Sequence, residues 1–442
     1  MNNEMKSLAR YAIEYSKKQG AEGCVCKIAN GKSDEFIGEN VGLSSINSNE
    51  YIGFGITVHY QQKKGTASTN VVNKQSIEDT VNQAISIAKF SVADPFLSLT
   101  SLDLAPSAKT LDFLQQDGWD KIKRTTYPKL VEQGLQLLQS NSNIAVDRLS
   151  FGVNESDEFY INSNGVEQSE AQSQASWSVL GMAKKDDFVS GMDWESGFCY
   201  QPDQIEKGFM TTMDDFSKKI VRLLNRGKAS TYTGPLLITP RCVEDLFLDI
   251  PLGHLSGRSV MDGRSKFEKD DHGQYFHESI TLTDHPHMKN MAGSTSYDLE
   301  GIPTKDKTLI QDGKVQGFLY DNYSGKKLGQ KPSGLSGGPF VLKLKTGNES
   351  LESLLKSNEK LLVIERFSGN SDFTTGMISG VAKSSEFFEK GKSVGIVDET
   401  MIAGNIFEMI KNVVGLENKT HTLNNAALYP HILVDGVTVT AS

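Results

Sequence analysis

The sequence predicts an α+β protein of two domains, and three observations carry that reading. Its 442 residues exceed what a single hydrophobic core usually serves. Helical and strand periodicities follow one another through the first half, and from about Thr233 they give way to short apolar runs separated by Gly, Asn and Asp. A composition of 38% hydrophobic and 23% charged residues with 40 glycines excludes a disordered chain and fits a fold rich in turns.

Residues 2–19 read as an amphipathic helix, with Met5, Leu8, Ala9, Ala12, Ile13 and Tyr15 at helical spacing and Gly20 placed to end it. Strands follow: Cys24 to Ile28 alternates with period two, and Tyr51 to Val58 is rich in β-formers before the polar turn from Gln61 to Gly65. A second helix is expected over 74–92, with Ile77, Val81, Ile85 and Ala88 on one stripe. The same order then recurs as a helix at 127–140, strand-like segments over 148–192 and a helix at 203–225. Glu35-Phe36-Ile37 with Asn40-Val41-Gly42 resembles Glu158-Phe159-Tyr160 with Asn164-Gly165-Val166, and a Lys-Lys pair follows each copy. Duplication, or two related layers of one sheet, would produce this recurrence; so would chance likeness between two hairpin arrays.

These elements divide the chain into an N-terminal α/β domain, 1–228, with halves at about 1–95 and 125–228, and a β-rich domain, 229–442. The segment Leu97 to Gly118, poor in periodic apolar residues, reads as the connector between the halves. In the second domain, Pro235 to Ile238, Leu361 to Ile364 and His431 to Val434 read as strands, and Asp312-Gly313 as the tight turn of a hairpin.

A formal charge of −9 argues against nonspecific nucleic-acid binding. No stretch approaches the roughly 18 apolar residues of a membrane span, and MNNEMKSLAR lacks the apolar core of a signal peptide, so the expected location is the cytoplasm. Cys24, Cys26, Cys199 and Cys242 are too few and scattered for a disulfide framework and read as buried, reduced thiols.

Chemistry-bearing patterns are sparse. No H-E-x-x-H helix is present, and His277-Glu278 lacks the later histidine. His272, His277, His285 and His287 cluster in a polar segment and read as loop residues. No G-x-S-x-G elbow occurs, and Ser333 to Gly338 lacks the Lys of a phosphate loop, which leaves a flexible surface loop as its reading.

Three phrases in the second half are more specific: Ser256-Gly257-Arg258-Ser259 through Ser265; Asp298-Leu299-Glu300-Gly301-Ile302-Pro303-Thr304 with the hairpin from Leu309 to Asp321; and Arg366-Phe367-Ser368-Gly369 with the helix-like Val381 to Gly391. Together they resemble the TldD/PmbA peptidase family, whose members are also called modulators of DNA gyrase. In the family's catalytic subunit, the resemblance implies, a helix bearing H-E-x-x-x-H and a late cysteine hold zinc. The corresponding window here is Asp249-Ile250-Pro251-Leu252-Gly253-His254. Asp249 stands at the first histidine, Ile250 replaces the general base, Pro251 disfavours an unbroken helix, and Cys242 is the last cysteine.

The resemblance therefore implies a PmbA (TldE)-type subunit, non-catalytic alone, with no cofactor of its own and with His254 as a weak metal candidate. Zinc would belong to a TldD-type partner in a heterodimer, and the same face would allow the isolated chain to form a homodimer. Extended peptides would be the substrates, for proteolysis or peptide maturation, with Gly257, Arg258, Ser259, Tyr323, Ser324, Phe367 and Ser368 as candidate peptide contacts; neither nucleic acid nor membrane is expected as a partner. The alternatives are an autonomous metallohydrolase built on His254, the His272 to His287 cluster or His421, and a non-enzymatic regulator of gyrase.

Overall fold

The computed structural model describes residues 3–116, 118–119, 126–267, 273–397 and 399–441. Helix α1 (Asn3–Lys18) leads into strands β1 (Gly23–Glu39), β2 (Gly42–Tyr60) and β3 (Lys63–Thr69), then α2 (Lys74–Phe90). After the connector come α3 (Thr126–Gln139), β4 (Ile144–Asn162), β5 (Glu167–Lys185), the short β6 (Phe188–Val189), β7 (Asp193–Cys199) and α4 (Ile205–Arg222). The two runs join in one sheet of order β3-β2-β1-β4-β5-β6, with β7 also on β5 and β1 antiparallel to β4 from Val25↔Asn162 to Gly38↔Leu149.

Strand periodicity explains why helices cover this sheet. Cys24, Cys26 and Ile28 are buried in a core with Ala9, Ile13, Ile77 and Val81 of α1 and α2. In the second half Phe151, Trp177 and Val179 form a separate core with Leu130, Leu135, Phe209 and Met213 of α3 and α4. The similar phrases noted in the sequence fall at equivalent places, each at the far end of the first long strand and its turn. All four cysteines are buried and free, and desolvation raises the Cys24 thiol pKa to about 11. The connector is not a bare linker: Ala105, Leu111, Phe113 and Leu114 are buried, the last three against Phe198 and Tyr200.

From β8 (Tyr232–Ile238) the fold is strand-dominated. The larger sheet runs Arg366–Ser371, Met377–Lys383, Thr400–Asn405, Ile432–Thr440, β8, Lys360–Ile364, Ser385–Glu389, Lys392–Val397, with Val413–Leu416 added beside Ile432–Thr440. Val381 to Gly391 is therefore not a helix but parts of two strands, because its residues alternate between buried and exposed with period two. The smaller runs Lys314–Val315, Lys307–Gln311, Leu282–Asp284, Leu342–Leu344, Ala427–Tyr429, His421–Leu423. Asp312 and Gly313, both at positive φ, make the expected two-residue hairpin turn between Gln311 and its pair Lys314. Among the described residues no helix is long and apolar enough to cross a membrane.

The two parts meet through buried polar contacts. Gln168 donates to the Pro106 and Gly301 carbonyls, each at 2.9 Å. The Glu170 carboxylate accepts from Ser296 N at 2.6 Å, and Asn322 Nδ2 donates to Thr100 Oγ1 at 2.7 Å. Asp193, 1% exposed, receives Arg241 Nη2 at 3.0 Å and Lys219 Nζ at 3.5 Å, while Trp194 stacks under Arg241 and Arg366.

Candidate functional site

Pro251 does not break the window but stands in the first turn of α5 (Asp249–Leu255). A π-helical turn, Glu244–Leu248, precedes it, and Asp249 N donates to Glu244 O, five residues back. The rearranged ladder accommodates a residue that has no N–H to give. A second short helix, α6 (Gly257–Met261), follows at once, and the junction is pinned by Gly257 N to Leu319 O and Leu319 N to Leu255 O, both 2.8 Å. Gly257 is required by this approach, since a Cβ would lie 2.5 Å from Ser324 Oγ and 2.8 Å from Tyr320 Cδ1.

His254 is fully buried, and both ring nitrogens are engaged. Lys266 N donates to Nδ1 at 3.0 Å, which leaves the proton on Nε2, and Nε2 donates to the Phe373 carbonyl at 2.7 Å. Phe373, from the turn between Arg366–Ser371 and Met377–Lys383, stacks on the imidazole at 4.0 Å between centroids. Burial is the largest of the influences that together lower the His254 pKa, with Lys266 and Arg264 adding to it against two backbone hydrogen bonds that raise it. In this arrangement no lone pair is free for a cation.

The helices form one wall of a cavity of about 510 Å³. Glu244, Asp249, Leu252 and Gly253 line that side, Ser256 and Arg258 continue it, and Leu319, Asp321 and Ser324 face it. Asp321 caps α7 (Asn322–Leu328) reciprocally with Ser324, and Arg258 Nε lies 3.6 Å from Asp321 Oδ2. The floor is acidic: Asp245 beside it has a raised pKa, first because it is buried and then because Glu244 and Asp249 are close. The remaining wall is Leu335 to Pro339. This corrects the expectation of a flexible surface loop. Leu335 is buried, Ser336 N donates to Asp298 Oδ2 at 3.0 Å and Ser336 O accepts from Leu299 N at 3.0 Å. Asp298, whose Oδ1 also accepts from Glu300 N and Ile302 N, is the link that the sequence did not reveal.

The candidate peptide contacts separate into three groups. Arg258 and Ser324 face the cavity. Gly257 and Ser259 lie behind it, and Ser259 Oγ donates to Gly253 O at 2.7 Å. Tyr323 packs against Arg258 and donates to Asp94 Oδ2 at 2.7 Å, so it ties α7 to the N-terminal domain. Phe367 and Ser368 stand elsewhere, on the edge strand of the larger sheet.

Nor do the histidines converge as a group. His285 bonds Asp306 and Thr283, His287 bonds Thr304, and His277 bonds Ser279; His272 lies outside the described residues. His421 does gain partners: its Nε2 is 2.8 Å from Glu417 Oε2, which also lies 2.6 Å from His431 Nδ1. The spacing Glu417-x-x-x-His421 was the available signal; the third member, ten residues on, was not.

The family model described as the PmbA/TldA metallopeptidase C-terminal domain matches residues 231–441, and that of domain 1 matches residues 30–88. The metalloprotease PmbA of Escherichia coli O157:H7 is 26% identical over 456 residues, covering 98% of this chain and 99% of its own. A modulator of DNA gyrase from Bacteroides thetaiotaomicron superimposes with a TM-score of 0.88 at 20% identity, over 100% of both chains. TldE from Thermococcus kodakarensis gives 0.84 at 19% identity, covering 99% of each.

Proposed function

Because the chain belongs to the TldD/PmbA family, the state of its metal window decides its role, and we propose that it is a peptide-holding subunit without a catalytic centre of its own. One observation supports this reading: in the window that the resemblance sets against the family's zinc helix stand a carboxylate, an aliphatic residue and a histidine whose two nitrogens are both spent on the backbone. Those residues do not fit a three-ligand zinc site with a neighbouring base. Asp249 offers one ligand atom, Ile250 offers none, and all the cysteines are buried as neutral thiols.

What remains is a cavity suited to holding chain rather than cutting it. Its walls combine main chain at Leu335 to Pro339, the apolar Leu248 and Leu252, and the Arg258–Asp321 pair. Main-chain groups recognise an extended peptide with little regard to sequence, and the edge strand bearing Phe367 and Ser368 offers further strand addition. The proton acceptor and metal for hydrolysis come from a TldD-type partner, which pairs through a face that the isolated chain uses on itself. Nucleic acid has no part in this role, and the cytoplasm suits four reduced thiols.

Mixing tests the proposal. The chain alone, a TldD-type subunit alone and the two together are assayed on an unfolded polypeptide and sized by light scattering. Activity is expected to rise only in the mixture, with a heterodimeric mass. Equal activity in mixture and TldD-type subunit alone, with no change of mass, would overturn it.

A further inference from the structure

We propose that Glu417, His421 and His431 form a divalent-metal site of the zinc class that staples the two sheets of the C-terminal domain. The site goes beyond the peptide-holding role and is independent of it, since none of the three residues lines the cavity at α5. Their ligand atoms all lie within 4.8 Å of one another. Glu417 directly follows Val413–Leu416 and His431 directly precedes Ile432–Thr440, both in the larger sheet, whereas His421 opens the edge strand His421–Leu423 of the smaller one. A cation held by all three would therefore join the sheets where the chain crosses between them.

Three features favour a cation over a plain hydrogen-bonded triad. Both imidazoles address one oxygen: His421 Nε2 at 2.8 Å and His431 Nδ1 at 2.6 Å from Glu417 Oε2. The rings stand at 88° to each other with centroids 5.0 Å apart, so His421 Nε2 and His431 Nδ1 reach the same carboxylate oxygen from different directions. The backbone fixes two of the ligands without metal, because Glu417 N donates to His431 O at 3.0 Å and the Glu417 side chain is only 4% exposed.

Chemically, a 2+ ion needs the lone pairs of His421 Nε2 and His431 Nδ1, so each neutral imidazole moves its single N–H to its other ring nitrogen and Glu417 binds as the carboxylate, with no net release of protons. The nitrogen–oxygen contacts need to open only to about 3.3 Å, the edge of a tetrahedron with bonds of about 2.0–2.1 Å. Two histidines and a carboxylate suit zinc or cobalt better than calcium or magnesium, and the fourth position falls to water on the side of His421, the most exposed of the three.

The test uses the full chain without a histidine tag, stripped with chelator and equilibrated with Zn²⁺ or Co²⁺. About one equivalent of metal is expected by elemental analysis, with a rise in thermal midpoint. His421→Ala, at the exposed rim, is expected to fold normally by circular dichroism and lose both the equivalent and the rise. Glu417→Gln tests the shared carboxylate, and His285→Ala is expected to bind like the wild type. Failure of the wild type to bind, or binding by His421→Ala equal to that of the wild type, would overturn the site.

Discussion

His254 shows how a residue can keep its place in a motif and lose its chemistry. Its ring is held neutral because Lys266 N–H donates to Nδ1 and Phe373 O accepts from Nε2–H. Since its folded pKa lies below the ordinary value of about 6.5, the unfolded chain binds the proton first as pH falls. The contribution of this histidine is therefore complete above about pH 6.5 and declines below it, until the folded ring also titrates. Wild type is expected to lose more urea resistance than His254→Gln between about pH 7.5 and about pH 5.5. Equal losses would contradict the buried neutral ring. At Gly257, the close approach of Ser324 and Tyr320 predicts that Gly257→Ala costs about 1–3 kcal/mol in the same measurement. The sequence made His254 conspicuous but could not reveal Phe373, which is 119 residues away.

Elements governed by local periodicity were legible, and those governed by distant partners were not. The stripes of α1 and α2, the alternation at Cys24 to Ile28 and the Asp312-Gly313 turn all appear where the residues place them, because each depends on neighbours within a few positions. Pro251 misled only in part: the helix continues, but through a π-turn that relieves the missing donor. The glycine-rich segment at Ser333 to Gly338 reads as mobile by composition, yet Asp298 holds it as a cavity wall. The short α7 depends on its reciprocal cap. Asp321→Ala is expected to cost about 0.5–2 kcal/mol, and Arg258 loses its acidic neighbour with it. Hydrogen exchange would then quicken at α7 before the larger sheet opens. Unchanged protection at α7 would show that packing, rather than the cap, maintains it.

At the scale of the whole molecule the two domains are held by charges that no local pattern announces. Asp193 in β7, itself buried, meets the partly exposed Arg241 and Lys219, and Arg241 lies just beyond β8. Removing the carboxylate leaves the mostly buried Arg241 without its ion-pair partner, while Lys219 keeps Glu195 at 2.6 Å, so Asp193→Ala is expected to lose about 3–5 kcal/mol in urea denaturation. A loss under about 1 kcal/mol would assign the pair to the surface class. The cavity at α5 is lined by residues between Glu244 and Leu342, all in the second domain, and the role proposed for the chain turns on whether it binds peptide without cleaving it. The direct measurement follows one sample by two signals: anisotropy of a labelled unfolded peptide for binding, and mass spectrometry for its integrity, with zinc supplied. Saturable binding that weakens in Arg258→Ala, with the peptide recovered whole, is the expected result. Zinc-dependent cleavage by the chain alone would contradict the account.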